Sequence, residues 1–286
     1  MNQKLRNVFP NIGQSWGIVG VSIVSMLVFS PVQIMLDKPE WGGIGMLLYY
    51  LLAMGAVFLY AHKRRKDTNN VSTYDFSSTN WKLIVLVLVG MLAIQSSIIS
   101  PIVALIPMAD FMKAMLEQMM NIDPVVGLVM VVVAAPILEE IIFRGIILDG
   151  LLQKYSPSKS IFISAFLFGF VHLNPWQFIG ALIIGVFSGW VYYKTRKLSL
   201  SILIHMLNNF IGFVMMRTQG SEVNYDEPYL EMYGNQTNFF IVVIWGLLIT
   251  VLAVYLLKTE FNKSKSIEWK TVSESKETDR TISKEE

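Results

Sequence analysis

Apolar residues in this chain run in long unbroken stretches rather than in the short alternations of a half-buried strand. Eight such stretches fall near residues 15–36, 42–61, 81–107, 125–151, 160–174, 176–193, 198–216 and 238–257. A helix that crosses the roughly 30 Å hydrocarbon core of a bilayer needs about 20 apolar residues. The stretch at 160–174 is short by that measure, and the one at 81–107 is interrupted by Pro101 and Pro107. The pattern predicts an all-α, polytopic integral membrane bundle of about eight transmembrane helices. Composition agrees: 53% of the 286 residues are hydrophobic and 15% charged, against about 25% charged in an average soluble domain. The absence of cysteine excludes a disulfide framework, a thiolate nucleophile and thiolate-ligated zinc. A net charge of +2 points to no nucleic-acid partner.

The placement of the basic residues gives orientation. With the N-terminus inside, internal connections carry Lys4, Arg6, Lys63, Arg64, Arg65, Lys66, Lys154, Lys159, Lys194, Arg196 and Lys197, whereas external ones carry Lys38, Lys113 and Arg217. The positive-inside rule thus predicts both termini in the cytoplasm of a multi-pass cell-membrane protein. The first stretch is too long for a signal peptide and leads straight into a second span, so it is expected to be retained. Four regions follow: 1–124, helices and an amphipathic outer segment near 108–123; 125–216, a core holding the intramembrane polar residues; 217–257, an external loop with Glu222, Asp226, Glu227 and Glu231 and the last span; and 258–286, a polar tail. The tail, rich in Lys, Glu, Ser and Thr with a single Trp269, has little to bury and is expected to be disordered.

Polar residues inside the spans carry the chemistry. The fourth span places Glu139, Glu140 and Arg144 near its middle. Its sixteen Leu, Ile, Val and Phe residues return about 5 to 10 kcal/mol on insertion, comparable to what three ionisable residues take away. The charges therefore need partners. Glu140 and Arg144, four apart with the acid first, are placed for an ion pair. Glu139 lies about 100° round the helix from Glu140, so it is expected to stay free of that pair. Pro136 cannot donate to the carbonyl of Val132 and should loosen the helix beside Glu139.

Of the three histidines, His62 adjoins the basic run, while His172 and His205 lie within apolar spans. His205 and Asn209, four apart, project together. At 1.5 Å per residue Glu139, His172 and His205 lie roughly 16, 18 and 10 Å from their predicted cytoplasmic helix ends, which allows all three to line one inner-leaflet cavity.

Two chemistries fit a carboxylate, two imidazoles and a carboxamide in a low-dielectric cavity. In one, Glu139 is the base for water, His172 its partner, and His205 with Asn209 donates to the oxyanion formed as an amide is hydrolysed. In the other, Glu139, His172 and His205 ligate Zn2+ or another divalent metal whose bound water is activated. No HExxH or GxSxG motif is present, and Ser22, Ser188, Gly180, Gly185 and Gly189 read as helix-packing positions.

The ordered set Glu139-Glu140-x-x-x-Arg144, Phe168-x-x-x-His172 and His205-x-x-x-Asn209 resembles the CPBP family of intramembrane proteases, also called the Abi or CAAX prenyl protease type 2 family, over about residues 125–216. The resemblance implies that Glu139 and His172 activate water, that His205 and Asn209 stabilise the oxyanion, and that Glu140 and Arg144 are structural. It implies a peptidase, labelled a metalloprotease although metal-free glutamate catalysis has also been argued, acting on a membrane-associated or lipidated peptide from the cytoplasmic side. Two other classes compete. A non-catalytic scaffold or bacteriocin-immunity protein on the same fold would tolerate Glu139→Gln, and a proton-coupled transporter would carry paired broken-helix repeats, whereas only one half of this chain is so equipped. Oligomeric state leaves no trace in the sequence.

Overall fold

In the computed structural model the described residues, 8–36, 41, 43–219 and 233–263, are helices joined by short turns. The loop acids Glu222, Asp226, Glu227 and Glu231, the cations Lys4, Arg6 and Lys38, and Trp269 lie outside them. The expected polytopic helical bundle is what the structure shows. Seven helices are long and apolar enough to cross a membrane: α1 (Ile12–Leu36), α2 (Ile44–Asn69), α3 (Trp81–Val103), α5 (Pro124–Leu152), α7 (Pro175–Thr195), α8 (Leu198–Gln219) and α9 (Gln236–Lys263). Between them lie the amphipathic α4 (Asp110–Met120) and α6 (Pro157–Phe170). The eighth expected span is thus α6, whose 14 residues reach only about 21 Å.

Local chemistry sets several boundaries. Asp123, Ser156 and Asn174 each precede a proline at the first helical position, so α5, α6 and α7 begin with a residue suited to capping and a fixed φ. The Asp123 carboxylate accepts from the Val125 and Val126 amides at 2.9 and 3.1 Å. Asn11 and Gln14 cap α1 reciprocally, each side chain accepting from the other's amide at 2.8 and 2.9 Å.

The core divides into two clusters with a seam between them. One joins α1, α2, α5 and α6 through Ile18, Met54, Val57, Ile142, Phe143 and Phe168. The other joins α3, α7, α8 and α9 through Met91, Ile184, Phe187, Ile204 and Leu257. A smaller cluster of Leu148, Ile161, Tyr192, Leu198 and Ile202 bridges α5, α6, α7 and α8. Gly185 makes this seam close: a Cβ there would stand 2.9 Å from the Ala165 Cβ and 3.4 Å from the Arg144 guanidinium.

At one end of the bundle the 70–80 segment is strapped across the α7–α8 turn. Leu198 donates its amide to the Asp75 carbonyl, and the Lys197 ammonium donates to the Ser77 hydroxyl and the Ser78 carbonyl at 2.7 and 2.6 Å. Hydrogen bonding from Ser77 holds the Asp75 carboxyl below the usual carboxylate range.

α5 is not a uniform α-helix. Val129–Ala134 and Ile141–Leu148 are π-helical, with one α-helical stretch, Ala135–Glu140, between them. In a π turn the acceptor lies five residues back, so the N–H that Pro136 lacks would have served Val131, not Val132 as the α-helical register predicts. The Asn209 amide takes that place, donating to the Val131 carbonyl at 2.9 Å. Proline, a widened helix and a neighbouring carboxamide together satisfy the backbone, as hydrocarbon requires.

Candidate active site

Glu139 and Glu140 end the α-helical stretch between the two π segments, near the middle of α5 and roughly 20 Å from either end. Their surroundings differ sharply. The Glu140 side chain is fully buried, and its Oε1 lies 2.8 Å from Arg144 Nη1 and 3.1 Å from His205 Nδ1. Its Oε2 accepts from the Ser188 hydroxyl at 3.3 Å. Arg144, equally buried, places its guanidinium carbon 4.5 Å from the Phe168 ring centroid. The expected Glu140–Arg144 pair is present, and each member has a further partner. A buried charge needs this: the desolvation of either ion is offset only when pairing and hydrogen bonding are both in place.

Glu139 keeps 13% of its side chain exposed and forms no ion pair with arginine or lysine among the described residues. Its Oε1 accepts a hydrogen bond of 2.7 Å from the Tyr50 hydroxyl on α2. Its Oε2 stands 3.8 Å from His205 Nε2. That gap is too long for a direct hydrogen bond, but one water about 2.8 Å from each atom would touch both.

The imidazoles are oriented differently. With Nδ1 against Glu140, His205 directs Nε2 toward Glu139, the arrangement by which a carboxylate sets a tautomer. His172 Nδ1 lies 2.8 Å from the Phe168 carbonyl, which can only accept, so Nδ1 donates. Both rings meet Phe168 edge-on at 5.3 Å between centroids, making that phenylalanine the shared floor of the site. The structure brings His205 against both glutamates, while His172 makes no ion-pair contact with either and is held one ring away. Its turn is tightly built: Leu173 adopts φ +55°, and the Asn174 amide donates to the His172 carbonyl at 3.0 Å. Asn209 is committed by one amide hydrogen to Val131, and its Oδ1 accepts from Asn208 at 3.0 Å.

Sequence reasoning missed Tyr50, Ser188 and Asn208. Tyr50 sits among lipid-facing residues of α2, and nothing in its spacing links it to Glu139 in α5. Ser188 has the size of a packing residue and serves as one, but its hydroxyl also faces Glu140.

The donor set of Glu139, His172 and His205 is chemically suited to zinc, and His205 Nε2 stands 3.8 Å from Glu139 Oε2. Among the described residues no three His, Asp or Glu side chains are grouped to hold a metal ion.

Residues 121–211 match the family model described as "Type II CAAX prenyl endopeptidase Rce1-like", and that segment contains every motif residue named above. A Bacillus subtilis (strain 168) protein described as "Putative membrane peptidase YdiL" is 29% identical over 101 residues, 35% of this chain and 41% of that protein. The Lactococcus lactis (strain IL1403) "UPF0177 protein YaiF" is 37% identical over 87 residues, 30% of this chain and 38% of that one. The chain thus spans about two fifths of the length of the curated relatives it matches. No solved structure matches it significantly. The motif resemblance thus coincides with the segment 121–211 that is similar to this family model, in a chain whose described helices include seven long and apolar enough to cross a membrane.

Proposed function

We propose that this protein is an intramembrane endopeptidase that hydrolyses a peptide bond of a membrane-associated or lipidated peptide, using water activated by Glu139. The observation that supports it best is the contrast between two adjacent acids. Glu140 is consumed by Arg144, His205 and Ser188, whereas Glu139 retains an oxygen that faces an imidazole nitrogen across 3.8 Å.

In this reading Glu139 Oε2 takes a proton from water as the water oxygen bonds to the scissile carbonyl carbon. The carbonyl electron pair moves onto oxygen, and collapse of the tetrahedral species breaks the C–N bond. The amine leaves with the proton that Glu139 had taken. His205 is near enough to share the water, and His172 on the same Phe168 ring completes the polar wall. Asn209 has a second amide hydrogen, beyond the one given to Val131, for the oxyanion. Basic residues cluster at the ends of α2, α5 and α7, which favours entry from the cytoplasmic side.

The test is cleavage of a lipidated and unlipidated peptide library by purified protein in vesicles, wild type against Glu139→Gln. Loss of a general base should cost about 10²- to 10⁴-fold in rate, with unchanged thermal unfolding. Equal cleavage by both proteins, or by neither, overturns the proposal. A chelator arm with zinc add-back tests metal assistance: inhibition reversed by zinc would move Glu139, His172 and His205 from water activation to ligation.

A further inference from the structure

Glu139 has a neighbour that could disable it. The Arg144 guanidinium, fully buried, is paired with Glu140, the residue next to Glu139 in the chain. Its Nε and Nη2 have no hydrogen-bond partner among the described residues. A buried guanidinium with unfilled N–H groups attracts any carboxylate able to reach it. A Glu139 side chain that swung onto Arg144 would become a second structural acid and lose its basicity toward water.

What opposes that motion is α2. The Tyr50 hydroxyl donates to Glu139 Oε1 at 2.7 Å, a short bond of the charge-assisted kind. The half-buried Tyr50 ring packs against the cluster of Ile142, Phe143 and Phe168. A rigid donor with two side-chain torsions holds one carboxylate oxygen and leaves the other, Oε2, facing His205. Tyr50 also lies outside residues 121–211, so the segment that carries the family likeness does not contain it.

We infer that Tyr50 is a positioning residue of the active site: its phenol pins Oε1 of Glu139, withholds the carboxylate from Arg144 and selects Oε2 as the oxygen that meets water. The inference rests on the endopeptidase reading and adds to it a contribution from the N-terminal half of the chain. It makes α2 a functional part of the site, so any movement of α2 against α5 would change activity through this one bond.

Tyr50→Phe keeps the ring and removes the donor. With the full-length protein in vesicles and a peptide that wild type cleaves, it should lower kcat about 10- to 100-fold and leave KM within about threefold, since the phenol acts through Glu139 rather than on substrate. Two further measurements separate donation from packing. Placing 3-fluorotyrosine or 3,5-difluorotyrosine at position 50 keeps the shape but makes the phenol a stronger donor, so kcat should vary in order with phenol acidity. In infrared difference spectra of wild type minus Glu139→Gln, the carboxylate stretch assigned to Glu139 should shift when Tyr50 becomes Phe.

Wild-type kcat in Tyr50→Phe, or a carboxylate band unmoved by it, overturns the inference while Glu139-dependent cleavage stands. A fluorotyrosine series with one constant kcat does the same. If wild type shows no Glu139-dependent cleavage, the endopeptidase reading itself falls, and the inference falls with it.

Discussion

α5 carries acids in two settings, and they solve the same problem differently. Near its end, Asp149 is 5% exposed and sits between two guanidinium groups: Arg65 Nη2 at 3.2 Å, and Arg196. Arg65 further donates to the Thr73 carbonyl at 3.1 Å and stacks 4.7 Å from the Tyr74 ring. Both oxygens of that carboxylate go to tying α2, α5 and the α7–α8 turn together. In the middle of the helix, Glu140 is spent in the same way on Arg144, His205 and Ser188, but Glu139 beside it has only a phenol and a distant imidazole. A buried acid surrounded by cations is a fastener, whereas one held by neutral donors with an oxygen to spare is available for chemistry. The difference is drawn by the neighbours and not by depth, since Glu139 and Glu140 are adjacent.

The comparison breaks most readily at Arg144. Arg144→Met leaves Glu140 buried without its cation, which should cost about 3 to 5 kcal/mol and appear as a large drop in thermal midpoint in detergent. Activity should fall with it, because His205 takes its orientation from Glu140. A variant as stable as wild type would show that the pair is not a fastener.

Asp149→Asn should destabilise less, by about 1 to 3 kcal/mol, because Arg196 keeps 24% of its side chain in contact with solvent and screening discounts its share. Cleavage per folded molecule should remain that of wild type. A rate that fell further than the folded fraction would tie this end of the bundle to the chemistry and erase the distinction between the two regions. The smallest effect belongs to Ser188→Ala, which removes one 3.3 Å hydrogen bond and should cost about 1 kcal/mol, measured as a modest shift in the same unfolding transition.

Much of this was legible in the residues. Long apolar runs specify membrane helices because each span must satisfy its backbone internally. The i to i+4 spacing of Glu140 and Arg144 already implied their pair. The freed carbonyl was misplaced by one residue, because the π-helical widening around Val129–Ala134 shifts the acceptor from Val132 to Val131, and local sequence does not announce a register change. Apolarity alone also did not announce that α6 stops at 14 residues, shorter than the seven other apolar helices.

By itself the sequence determined the class of fold, the helix on which the charges lie and which acid the arginine takes, since these depend on hydrophobic run length and on the fixed geometry of a single helix. Tertiary structure alone decided that His205 rather than His172 stands next to Glu139, that Asn209 stitches the α5 backbone, and that Tyr50 reaches across from α2. Such contacts join residues far apart in the chain, and their geometry follows from how helices pack, a property that no spacing within one helix encodes.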